Sequence, residues 1–60
     1  MDEFKVGDKV ILAYESKFGT GRKAVANGPI VHIDDTAIEV AVGRVEVAVV
    51  WDDVFSLRLA

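Results

Sequence analysis

Apolar residues recur at every second position over most of the chain. The pattern is clearest in Ile38-Glu39-Val40-Ala41-Val42-Gly43-Arg44-Val45-Glu46-Val47-Ala48-Val49, which is nearly a mirror image about Gly43-Arg44. A period of two is the signature of a β-strand with one face buried, and a two-residue linker beginning with Gly is a hairpin turn. The symmetry sets a register: Val42 opposite Val45, Val40 opposite Val47 and Ile38 opposite Val49 on one face, with Glu39 meeting Ala48 and Ala41 meeting Glu46 on the other.

The same reading extends to both sides. A turn at Val6-Gly7-Asp8 leads into a strand from Lys9 to about Tyr14, with Val10, Leu12 and Tyr14 on one face and Ile11 and Ala13 on the other. Ala24-Val25-Ala26 begins a second strand that Asn27-Gly28-Pro29 bends or interrupts and that resumes at Ile30. Pairing Ile33 with Ile38 sets His32 opposite Glu39 on the outside and Val31 opposite Val40 on the buried face. Trp51-Asp52-Asp53-Val54 reads as a short connection with one 3₁₀ turn. The last strand follows from Phe55 to Leu59, with Phe55, Leu57 and Leu59 inward and Ser56 and Arg58 outward. No window carries a sustained helical period with caps. Five short strands on so short a chain predict an all-β, closed or nearly closed barrel formed by residues 1–60 as one domain. Glu15 to Lys23 is its single long loop.

Composition narrows what such a domain can be. At 60 residues, folding buries roughly 60% of the surface that the unfolded chain exposes. There is no Cys for a disulfide, and one His cannot build a conventional zinc site, so the 52% hydrophobic residues must supply the core or share the task with an oligomer interface. The net charge of −3 argues against nonspecific binding to nucleic acid or to an anionic membrane. No apolar run approaches the roughly 20 residues of a spanning helix, and Met1-Asp2-Glu3 is acidic where a secretory signal is basic, so the expected compartment is the cytoplasm.

The order of elements, with Val6-Gly7-Asp8-Lys9-Val10, Gly28-Pro29-Ile30-Val31-His32-Ile33 and Asp53-Val54-Phe55-Ser56-Leu57 in place, resembles the SH3-like small barrels, and among them the prokaryotic type with a KOW-like beginning. The resemblance covers nearly the whole chain and implies a single five-stranded SH3-like barrel with one long loop and a short 3₁₀ turn before the last strand. The chain departs from the SH3 domains that bind proline-rich peptides. Leu12-Ala13-Tyr14-Glu15 only echoes their aromatic cluster, and Trp51 falls at the end of the fourth strand, so proline-peptide binding is not carried over. KOW-like and ribosomal barrels that bind nucleic acid are generally basic, whereas this chain is acidic.

Chemistry-bearing groups are few. Asp34-Asp35 and Asp52-Asp53 lack the spacing of a calcium loop and read as turn residues, whose carboxylates bond nearby backbone N–H groups. Gly19-Thr20-Gly21-Arg22-Lys23 does not match a phosphate loop. His32 across from Glu39 reads as an ordinary cross-strand pair. No catalytic set and no cofactor are expected. The long loop, by contrast, gathers Lys17, Arg22 and Lys23 around Phe18. With Tyr14 and Trp51 at strand ends, these six residues form the expected surface for a protein partner: the aromatics bury apolar area and the cations steer an acidic partner. The alternatives are a nucleic-acid module using the same basic loop, a structural subunit assembled through an outer face of Ala37, Ala41, Ala48, Val50 and Ile30, and an oligomeric enzyme whose site forms at a symmetry axis. A small accessory protein, including one carried by a phage or mobile element, would suit this size.

Overall fold

The computed structural model of the chain describes residues 3–16 and 21–60. Five strands and one 3₁₀ turn follow in sequence: β1 (Lys9–Glu15), β2 (Lys23–Ile33), β3 (Ala37–Val42), β4 (Val45–Val50), the 3₁₀ turn Trp51–Asp53, and β5 (Val54–Leu59). They form one antiparallel sheet in the order β4-β3-β2-β1-β5. No described helix is long and apolar enough to cross a membrane.

The hairpin of β3 and β4 has the register its symmetry predicts, from Val42 with Val45 to Ala37 with Val50. Gly43 has φ +63° at the first central position of the turn and Arg44 has an ordinary negative φ, the pattern of a type II′ turn.

The second strand is continuous through Asn27-Gly28-Pro29, and at this point it changes partner. Residues Lys23 to Pro29 pair with β1, and Ile30 to Ile33 pair with β3. One strand thus serves both halves of the sheet, which fold over each other around it. Gly28 is the pivot, because a Cβ there would fall on the carbonyl oxygen of Ala41 in β3. Ala26, also inward, is buried, and the larger Val10 and Leu12 of β1 fill the space between. Ile30 and the lead-in to β1 are tied by two further backbone bonds. The N–H of Gly7 donates to the Ile30 carbonyl at 2.8 Å, and the N–H of Ile30 donates to the Asp8 carbonyl at 2.9 Å.

Val10, Leu12, Ala26, Ile30, Ile38, Val40 and Val49 form the core, with Phe4, Tyr14, Ile33, Val47, Trp51, Val54 and Leu57 packed around it. Two bulges decide which residues reach it. Ile30 pairs with Val40 and His32 with Glu39, which leaves Val31 as an extra residue on β2. Ile30 is therefore buried and Val31 exposed, the reverse of the uninterrupted alternation that put Val31 inside and Ile30 on the outer face. In the same way Tyr14 pairs with Val54 and Ala13 with Ser56, so Phe55 is displaced and is 58% exposed while Val54 and Leu57 turn inward. Leu59 has inward parity but lies at the end of its strand and is also exposed.

The expected closure is not part of the observed pairing. After β4, the 3₁₀ turn carries the chain onto the far side of β1, where β5 pairs, rather than back along β4. The sheet is therefore open between β4 and β5. Replacing Gly28 with Ala should lower stability by roughly 1–3 kcal/mol or more, because backbone must move to admit the methyl group. Val25→Thr, at an exposed position of the same strand, should stay within about 0.5 kcal/mol. Urea unfolding of the two variants checks this, and equal midpoints would refute the pivot.

Candidate functional site

A groove of about 510 Å³ lies along β4. Tyr14, Glu15 and Ser16 at the end of β1 line it together with all six residues of β4, Val45 to Val50, and Asp53 of the 3₁₀ turn. Consecutive strand residues point to opposite faces, so a cavity against a sheet face touches alternate residues. Six in a row mark a cavity that runs along the backbone edge of the strand.

The orientation of that edge follows from the hairpin. A two-residue turn makes Val42 and Val45 a hydrogen-bonded pair, and the pairs alternate from there. The backbone groups of Val45, Val47 and Val49 thus face β3, and those of Glu46, Ala48 and Val50 point outward from the sheet. Among the described residues no strand pairs with β4 on that side. The lining is mostly apolar, and among the described residues its charged side chains are the carboxylates of Glu15, Glu46 and Asp53. Tyr14, on the inward face of β1, packs against the core and is only half-buried.

A second polar centre closes the turn between β2 and β3. One carboxylate oxygen of Asp34, Oδ1, accepts from the Thr36 N–H at 2.8 Å, the Thr36 hydroxyl at 2.8 Å and the Ala37 N–H at 2.9 Å. The other, Oδ2, lies 2.7 Å from Nε2 of His32. The carbonyl of the same residue accepts the indole N–H of Trp51 at 2.6 Å, and the Trp51 N–H donates to the Thr36 carbonyl at 3.1 Å. The turn and the 3₁₀ segment are thereby joined. The reading of Asp34 as a turn residue describes its Oδ1; His32 keeps its register opposite Glu39 but bonds to Asp34 instead.

The six residues expected to meet a partner are distributed unevenly. Tyr14 lines the groove. Arg22 and Lys23 are exposed on the stem of the long loop, where the Ser16 N–H donates to the Arg22 carbonyl at 2.8 Å and Lys23 pairs with Glu15. Trp51 is half-buried in a separate concavity with Asp35, Thr36, Val50 and Asp52, and Val50 touches both depressions. Lys17 and Phe18 lie outside the described residues. The edge of β4 has no signal in the side-chain pattern, because alternation gives a strand's faces and not its neighbours.

The contact between His32 and Asp34 has a pH signature. The hydrogen bond to Asp34, helped by the charges of Asp34 and Glu39, raises the His32 pKa above 6.5. The bonds from His32, Thr36 and Ala37 hold the Asp34 carboxyl far below its ordinary 3.8. The stabilisation from His32 is complete below 6.5 and is lost as pH rises through the raised value. That from Asp34 is complete above 3.8 and is lost as pH falls toward its depressed value. His32 should titrate by NMR above 6.5, and Asp34→Asn should bring its midpoint down toward that value. Between about pH 5.5 and about pH 8.5 the wild type should lose more thermal stability than His32→Gln. A midpoint unmoved by Asp34→Asn would dismiss the pair.

Comparison with protein-family models, with curated proteins and with solved structures found no match to this chain.

Proposed function

We propose that this protein is a small non-catalytic module of SH3-like type that binds another protein through the long loop and the groove beside it. The SH3-like reading is supported by the strand order β4-β3-β2-β1-β5, by a second strand shared between two halves of the sheet, and by a 3₁₀ turn before the last strand. The observation that carries the binding role is the groove itself. It is open and largely apolar, of a size within the roughly 300–1,000 Å³ of ligand clefts, and lined by Tyr14 next to the loop stem. The non-catalytic reading draws on the use of His32 and Asp34, whose mutual contact and turn bonds occupy the described histidine and its nearest carboxylate.

The charge of the surface favours a protein over a nucleic acid. Arg22 and Lys23 are exposed at the loop stem, but among the described residues the charged side chains of the adjoining groove are carboxylates and the chain carries a net charge of −3, which disfavours phosphate. A protein partner can meet both signs at once, with acidic residues toward the loop and a cationic or neutral segment toward the groove.

The immobilised wild-type chain should retain a specific protein from native lysate, and Phe18→Ala combined with Arg22→Ala should reduce its recovery at least about tenfold, as expected when contacts worth more than about 1.4 kcal/mol are lost. Circular dichroism of the variant should match the wild type. Undiminished recovery would move the binding surface away from the loop, and loss of the same signal on adding RNA would favour the nucleic-acid module.

A further inference from the structure

We propose that Asn27 is a modification site: its side chain cyclises onto the backbone nitrogen of Gly28 and is converted to aspartate or isoaspartate, at a rate set by the β1–β2 ladder. The reaction needs no partner and is independent of the binding role. Asn27 is the only Asn of the chain, there is no Gln, and the residue after it is Gly. It stands exposed on β2, opposite Ile11 of β1. A following residue without a side chain leaves its nitrogen open to attack. That residue cannot be exchanged for a bulkier one, because a Cβ at Gly28 would fall on the carbonyl oxygen of Ala41. The close approach that shapes the fold thus keeps a reactive dipeptide within it.

Ring closure forms a bond between the Gly28 nitrogen and Cγ of Asn27, passes the amide proton to solvent and releases Nδ2 as ammonia. Water then opens the succinimide. Breaking the bond from the Gly28 nitrogen to Cγ leaves aspartate at position 27 with the backbone intact. Breaking its bond to the backbone carbonyl carbon leaves isoaspartate, in which the chain runs through Cβ and Cγ and is longer by one methylene. In sum the site consumes a water and releases an ammonia, with nothing oxidised or reduced.

The fold restrains this reaction in two ways. The bonds from the Ser16 N–H to the Arg22 carbonyl and from the Ile30 N–H to the Asp8 carbonyl share the register of the β1–β2 ladder, and they fix which of its pairs exchange hydrogen bonds. Counting in twos from either, Gly28 with Val10 is such a pair, so the attacking N–H donates to the Val10 carbonyl. Asn27 also lies inside a continuous strand, where a ψ of roughly +135° turns the Gly28 nitrogen away from Cγ. Closure therefore requires the ladder to open at the pivot. The two products then differ in their effect. Aspartate adds a negative charge at an exposed position, whereas isoaspartate inserts a methylene between Ala26 and Gly28 and cannot keep Ala26 opposite Leu12 with Gly28 opposite Val10 and against Ala41.

The test incubates the full chain in mildly alkaline buffer, native and in denaturing urea, and follows loss of the side-chain amide by mass spectrometry with peptide mapping. The native chain should convert at least about tenfold more slowly than the unfolded one, the factor for an opening that costs about 1.4 kcal/mol. Its rate should rise in urea below the unfolding transition, and Asn27→Ser should abolish the conversion. Asn27→Asp should unfold at the wild-type urea midpoint, while the purified isoaspartyl chain should unfold at a lower one or not fold. Equal rates in the native and unfolded chains would overturn control by the ladder. Absence of conversion in the unfolded chain would remove the site, and a wild-type midpoint for the isoaspartyl chain would refute its effect on the pivot.

Discussion

The close approach of β3 to Gly28 is the constraint on which the rest of this structure depends. A small domain must bring two layers of backbone close enough to exclude water from one cluster of side chains, and here a single strand belongs to both layers. That is possible only if β2 turns sharply without ending, and if the inward positions at the turn are nearly empty. Gly28 and Ala26 supply the space, and Val10 and Leu12 from β1 with Val40 and Ile38 from β3 fill it from either side. With a larger residue at Gly28, β3 would have to move outward, and the β4 edge would move with it.

At the other end of β2 the same shape is held by hydrogen bonds. Asp34 organises the turn into β3 with its side chain and reaches the 3₁₀ segment with its carbonyl, so that the two ends of the β3–β4 hairpin unit are fastened to each other. Trp51 is half-buried because it completes this fastening while packing against the core. The consequence for the groove is direct. Its wall is β4, and β4 enters the 3₁₀ turn at a point where Trp51 is anchored by both its backbone and its ring. An edge held in this way has little conformational freedom left to lose.

Much of the architecture was legible in the residues, and the illegible parts share one cause. The β3–β4 register can be read because a one-residue slip would turn Ile38, Val40, Val47 and Val49 out of the core, and the Gly43-Arg44 turn admits no slack. The bulges at Val31 and Phe55 are hidden because each lies beside a second apolar residue, Ile30 or Val54. When both neighbours are suited to the interior, alternation cannot decide which of them faces it; the three-dimensional bend of the strand does. Among the candidate site residues, Tyr14 was readable as an aromatic of inward parity at a strand end. Which strand stands unpaired depends instead on where the chain goes after Trp51, and no local pattern encodes that path.

An open sheet edge carries a hazard. Val45, Val47 and Val49 alternate in a strand whose outward backbone has no strand partner among the described residues, a segment that would readily pair with another molecule of its own kind. Glu46 places a charge at that edge, which disfavours the pairing of two copies there. That charge costs the core nothing, since Glu46 lies opposite Ala41 on the outer face of the hairpin.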